Sequence, residues 1–361
     1  MKRKQLLVLI LVVAVLAALV YLQVRTWRHF DWEKFAEGTE GVNYWKVLVG
    51  VLLIHVADFL RAIRWKIFLR PTRPDASWTS LVAPQFVGFA GLALLGRPGE
   101  LIRPYLLSLR TGTSFSSQLA IWAVERVFDI SAVTIILLLD IFLAPSIREI
   151  HHYQAFRDAG YALVGILALL ILSVFAVSFF GSRVAAWLRR ALSPISTSLA
   201  DGVERRICAF SDGLNTLHSF VSFLEVLVIS LGLWFIVALA YRQVTHAYPL
   251  ETGLPYLDLP QVILLMGASV AGGVLQLPVV GGGSQLATIA VMDRVFEVGP
   301  ELAVSAGIMF WLVTFMSVAP LGLVLARHEH VSLRKLTRES ENIESAEERG
   351  SAQASSSPLK S

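Results

Sequence analysis

Charge is scarce in this sequence: only 16% of its 361 residues are Asp, Glu, Lys or Arg, while 55% are hydrophobic. A water-soluble domain carries roughly a quarter charged residues, so this deficit excludes an ordinary soluble protein. Several apolar runs reach about 20 residues, the length that crosses roughly 30 Å of hydrocarbon, and they put the chain in the membrane class. Cysteine is almost missing. Cys208 stands alone, which excludes an intramolecular disulfide and argues against thiol chemistry. It reads as a small apolar residue. The short alternating strands of a membrane barrel are missing too, so helices must satisfy the backbone within the bilayer. No basic patch interleaved with aromatics lies outside the membrane flanks. The net charge of +4 therefore reflects loop placement and not a nucleic-acid partner. GxSxG, HExxH, Walker and Asp-rich diphosphate motifs are all missing, so neither bond chemistry nor a cofactor is expected. His328-Glu329-His330 beyond the last span and His151-His152 in a loop are poor ligand sets, and no metal is expected.

What the sequence does hold is an all-α polytopic pattern. Spans are predicted at about 5–24, 43–69, 114–144, 159–180, 216–246 and 300–326. The first follows Lys2, Arg3 and Lys4; it is long for a signal peptide and lacks a small-residue cleavage site, so it reads as an uncleaved helix. Two further stretches are broken. One runs from Trp78 to Leu109 through Gly96, Pro98 and Gly99. The other runs from Leu259 to Met292 through Gly272, Gly273, Pro278 and Gly281 to Gly283. Lys and Arg favour the cytoplasmic side. If both stretches are re-entrant hairpins, Arg61, Arg64, Lys66, Arg70, Arg73, the arginines of loop 181–206 and Arg327 all fall inside. Both termini then lie in the cytoplasm, in a cytoplasmic membrane. The order span, hairpin, span recurs in opposite sense, which predicts an inverted repeat with halves 1–144 and 159–326. Segment 181–213 reads as an interfacial amphipathic helix or a plain linker, and 327–361 as a disordered cytoplasmic tail outside the membrane domain 1–326.

Ionisable residues inside a membrane are functional candidates by default. Glu125, Arg126 and Asp129 lie within span 114–144, with Arg126 and Asp129 at i,i+3 pairing distance. In the first hairpin, Gly96, Pro98 and Gly99 break the helix, and Glu100 and Arg103 open a half-helix whose N-terminus suits a phosphate. Arg97 and Arg103 are positioned to clamp such a phosphate, with Glu100 capping the half-helix or pairing with Arg103. On span 43–69, Asp58 and Arg61 are at pairing distance and Arg64 follows one turn on; these residues bind a ligand or anchor the helix at the interface with Trp65. The second hairpin offers Gln276, Ser284 and Gln285, and its glycines Gly281, Gly282 and Gly283 permit close backbone approach to a ligand or to another helix.

The run from Leu95 through Gly96-Arg97-Pro98-Gly99-Glu100-Leu101-Ile102-Arg103 to Leu107 resembles the Pro-Gly-Arg-x-Gly-Glu-x-x-Arg signature of the lysylphosphatidylglycerol synthase transmembrane-region family, also called flippase-like domain proteins. Arg61-x-x-Arg64-Trp65, Glu125-Arg126-x-x-Asp129 and Pro278-x-x-Gly281-Gly282-Gly283-x-Gln285 fit the same pattern, over roughly 5–326. Two positions depart from it: Gly96 stands where the usual Pro precedes the Arg, and Gln285 stands where many members carry Glu. The resemblance implies translocation of a phospholipid or lipid-linked sugar between leaflets. It implies no synthase activity here, because that activity belongs to an appended soluble domain and this chain ends shortly after its last span. A scaffold for a separately encoded lipid-modifying enzyme and a membrane-embedded lipid transferase are the rival readings.

Overall fold

A computed structural model of the chain describes residues 31–150, 153–194, 200–204, 220–273 and 282–328. The predicted first span, His151-His152, Cys208, Gln276, Pro278, Gly281 and nearly all of the tail lie outside these residues. Among the described residues every regular element is helical. A short helix α1 (Trp32–Glu40) starts at Asp31, whose carboxylate accepts from the Glu33 and Lys34 amides. Asn43 begins α2 (Tyr44–Leu69) in the same way. There follow α3 (Trp78–Leu95), a 3-10 turn at Arg97–Leu101, α4 (Ile102–Thr111), α5 (Phe115–Leu143), α6 (Tyr153–Leu192), α7 (Phe220–Thr245), α8 (Leu259–Gly272), α9 (Gly282–Arg294), α10 (Pro300–Trp311) and α11 (Val318–His328). The protein is an all-α polytopic membrane protein. Trp78–Leu95, Tyr153–Leu172, Phe220–Thr245 and Pro300–Arg327 are long and apolar enough to cross a bilayer. α2 and α5 match them in length but carry charges in their middle turns.

One predicted boundary holds and one predicted span is divided. The span at 159–180 ends at a kink where Phe180 leaves helical geometry (φ −128°, ψ 22°), and a second helical stretch continues from it to Leu192. Beyond the bend, Arg189 pairs with Asp201 at 3.1 Å and Glu204 at 3.3 Å. The last predicted span is divided by a π turn at Leu312–Met316, where the Ser317 amide reaches back to the Leu312 carbonyl at 2.8 Å. Pro320, just beyond, has no amide to offer its preceding turn, a common setting for such a bulge.

α2 and α7 form the central pair and run antiparallel. At one end the Asn43 amide donates to the Ala247 carbonyl at 2.7 Å; at the other Arg70 pairs with Glu225 at 2.5 Å. Each is followed by a helical hairpin. In the first, α3 and α4 fold back on each other, with Gly88 against Arg103 and Gly91 against Ile102 and Gly99. In the second, Gly272 of α8 lies against the Gly283 carbonyl of α9. The first hairpin packs on α11, where Gly322 meets Phe86 and Ala90; the second packs on α5, where Gly267 meets Leu137. Thus the first hairpin leans on α11 and the second on α5.

Gly99 tests this geometry. A methyl group there would overlap the backbone of Gly91 and Leu92, which has no rotamer to escape through. Gly99→Ala is expected to destabilise the protein by about 1–3 kcal/mol, the cost of overpacking. Gly165→Ala, which meets nothing nearby, is expected to be neutral or stabilising by up to about 1 kcal/mol. Thermal melts of the two variants in detergent check the contrast.

Candidate functional site

The intramembrane charges converge where α2, α4 and α5 meet. Arg64 is fully buried and is the hub. It donates to Glu125 at 2.6 Å, to Asp129 at 2.7 Å and to the Ser230 hydroxyl of α7 at 2.7 Å. Arg103 approaches Glu125 from the other side through both terminal guanidinium nitrogens and also donates to Gln85 at 3.0 Å. Its guanidinium lies 4.5 Å from the Trp65 ring centroid, and Trp65 is held in turn by Gln118 at 3.0 Å. Arg126 pairs with Asp129 at 3.0 Å, as their i,i+3 spacing implies. Asp129 also accepts from the Trp234 indole at 3.1 Å. A neighbouring pair, Asp58 and Arg61, closes at 2.7 Å, with Arg61 against the Phe89 and Trp234 rings.

Helix phase explains why these side chains meet. Glu125 and Asp129 are one turn apart on one face of α5. That face looks at α2, whose Arg64 can reach both carboxylates because a guanidinium donates in a fork. Glycine makes room for the third partner: the Cα of Gly88 lies against the Arg103 side chain, and any larger residue would push α4 away.

One part of the site is open. A small cleft is lined by Gly88, Phe89, Leu92, Glu100, Arg103, Trp122 and Arg126. Arg126 is the accessible cation of the set, its side chain 39% exposed, whereas Arg64 and Arg103 are sealed. With Glu100 counted, three arginines (Arg64, Arg103, Arg126) balance three carboxylates (Glu100, Glu125, Asp129). Four buried donors, Arg61 Nε, Arg64 Nε, Arg126 Nε and Gln85 Nε2, have no acceptor among the described residues. An arrangement of balanced, paired charges with spare donors is suited to exchanging one anionic acceptor for another.

The structure gathers Arg64, Glu100, Arg103, Glu125, Arg126 and Asp129, with Asp58 and Arg61 adjoining. It pairs Arg103 with Glu125. Arg97 and Pro98 lie in the 3-10 turn, and the side chain of Arg97 is outside the description. Gln285 stands apart on α9, packed toward Gly307 of α10. Gly282 and Gly283 begin α9, Gly282 with φ 58°. Sequence reasoning missed Gln85, Gln118, Ser230 and Trp234. The available signal was weak: a lone glutamine or serine inside an apolar run.

These features define a multi-pass helical membrane protein with a buried ion network opening on one cleft. The profile of the lysylphosphatidylglycerol synthase TM region matches residues 7–322, and the chain belongs to that family. Comparison with curated proteins and with solved structures found no match.

Proposed function

We propose that this domain moves the polar headgroup of a phospholipid or glycolipid between leaflets of the cytoplasmic membrane. The observation that carries the reading is the cleft where Arg126 and Glu100 meet the sealed Arg64–Glu125–Arg103 network. A headgroup phosphate entering there takes hydrogen bonds from Arg126, and the displaced carboxylates keep Arg64 and Arg103 as partners. The acyl chains stay in lipid while the headgroup crosses. Guanidinium groups stay protonated throughout, so they bind and release an anion without any bond chemistry. Membership of a membrane-domain family named for lipid synthesis supports a lipid as cargo. We also read the two halves, 1–144 and 159–326, as inverted repeats, with the Arg- and Lys-rich loops and both termini in the cytoplasm. The antiparallel α2–α7 pair and the reciprocal hairpin contacts support this. The π turn and the glycine-dependent hairpins are the places where the halves can rock.

The experiment is leaflet exchange in proteoliposomes, using fluorescent phospholipids and dithionite quenching. Wild type is expected to accelerate exposure of inner-leaflet lipid. Arg126→Gln is expected to slow it about tenfold or more, the loss of one charged hydrogen bond, with the fold retained because Asp129 keeps Arg64. Equal rates in the variant would remove the cleft as the headgroup site. No acceleration by wild type would favour a scaffold for a separate enzyme, and a new covalent lipid product would favour a transferase.

A further inference from the structure

The outer face of the α2–α7 pair carries a second concavity. Its wall includes Ile63, Lys66, Arg70, Trp78, Leu224 and Val228. Its apolar wall follows from helical spacing: 221, 224 and 228 fall on one face of α7. Val221, Leu224 and Val228 are all exposed along it. The charged end is asymmetric. Arg70 is neutralised by Glu225 at 2.5 Å. Lys66 forms no ion pair or hydrogen bond among the described residues, which leaves one net positive charge at the mouth. Trp78, 42% exposed, stands beside it.

Any outward face of a membrane protein is apolar and wetted by lipid tails. This face differs in being concave and in ending at an uncompensated ammonium next to a tryptophan, the residue that marks the boundary between hydrocarbon and headgroups. Its chemical complement is an amphiphile with an acyl chain for the groove and an anion for Lys66. We infer that the groove holds one anionic phospholipid, its phosphate at Lys66 and one chain along Ile63, Leu224 and Val228. The occupant bridges the ends of α2 and α7, the pair that carries Arg64 and Ser230. The inference rests on the membrane fold alone and stands apart from the transport reading.

Native mass spectrometry of the detergent-purified protein tests it, with phosphatidylglycerol and phosphatidylcholine as probes. Wild type is expected to retain one phosphatidylglycerol molecule. Lys66→Glu is expected to weaken that binding at least about fivefold, since one lysine near a lipid surface contributes about that much, and to leave phosphatidylcholine binding unchanged. Equal phosphatidylglycerol retention by the variant overturns the site. A benzophenone amino acid in place of Val228 then identifies the occupant in native membranes. A phospholipid adduct supports the inference. Crosslinks to the 205–219 segment or to a second copy of the chain overturn it. Neither reading depends on Lys66→Glu alone, and an unchanged melting temperature shows that the variant is folded.

Discussion

Arg64→Ala is expected to destabilise the membrane domain by about 3–5 kcal/mol, the cost of stripping a buried charge of its partner. Arg64 is the shared donor of Glu125, Asp129 and Ser230. Without it Glu125 keeps Arg103 and Asp129 keeps Arg126, but one carboxylate charge in excess remains at a site that is fully buried on the Glu125 side. Arg64→Lys should recover only part of the loss, because an ammonium is a point charge and cannot present two parallel donors to two carboxylates. Rescue should instead come from Arg64→Met combined with Asp129→Asn, which restores neutrality and keeps an acceptor for the Trp234 indole. Melting of the single and double variants in detergent, followed by size-exclusion chromatography, reads the result. A stable, monodisperse Arg64→Ala would mean that water or lipid headgroups already solvate the carboxylates, and that the network is no buried core.

The spans within the described residues were legible because hydropathy and length are properties of the chain itself. So was the Arg126–Asp129 pair, since i,i+3 spacing on a helix brings those side chains together wherever the helix packs. The role of Arg64 was not legible. Asp58, Arg61 and Arg64 read as one group along α2, and the spacing of Asp58 and Arg61 does produce their pair. Arg64 leaves that group because its partners come from α5, and which face of α5 meets which face of α2 is decided by packing. Arg103 shows the same limit. Its place at the start of a half-helix says nothing of Glu125, which it meets because α4 approaches Gly88 of α3 closely. Neutral partners such as Gln85 and Ser230 become recognisable only once a charge is seen beside them. The kink at Phe180 was legible too, because the apolar run ends at 180 and the arginine-rich segment starts at 181.

Removing charges in balanced sets separates a packing role from a transport role. Arg103→Met with Glu125→Gln deletes one positive and one negative charge together. Arg64 keeps Asp129, Arg126 keeps Asp129 and Glu100 remains in the cleft, so the site stays neutral. Replacing a buried ion pair by groups of similar volume is often neutral or stabilising, by about 1–4 kcal/mol. The double variant is therefore expected to melt at or above the wild-type temperature, whereas either single change should lower it. Leaflet exchange is expected to be lost all the same. In the proposed mechanism Arg126 leaves Glu125 for the incoming phosphate while Arg103 goes on holding that carboxylate. A methionine and an amide remove both the carboxylate and its remaining partner. If the double variant folds and exchanges lipid at the wild-type rate, the Arg103–Glu125 pair only pins α4 to α5, and the headgroup path must run past Arg126 alone. If it folds and exchange stops, the pair belongs to the path, and its charge is kept in the membrane for transport despite offering no advantage in stability.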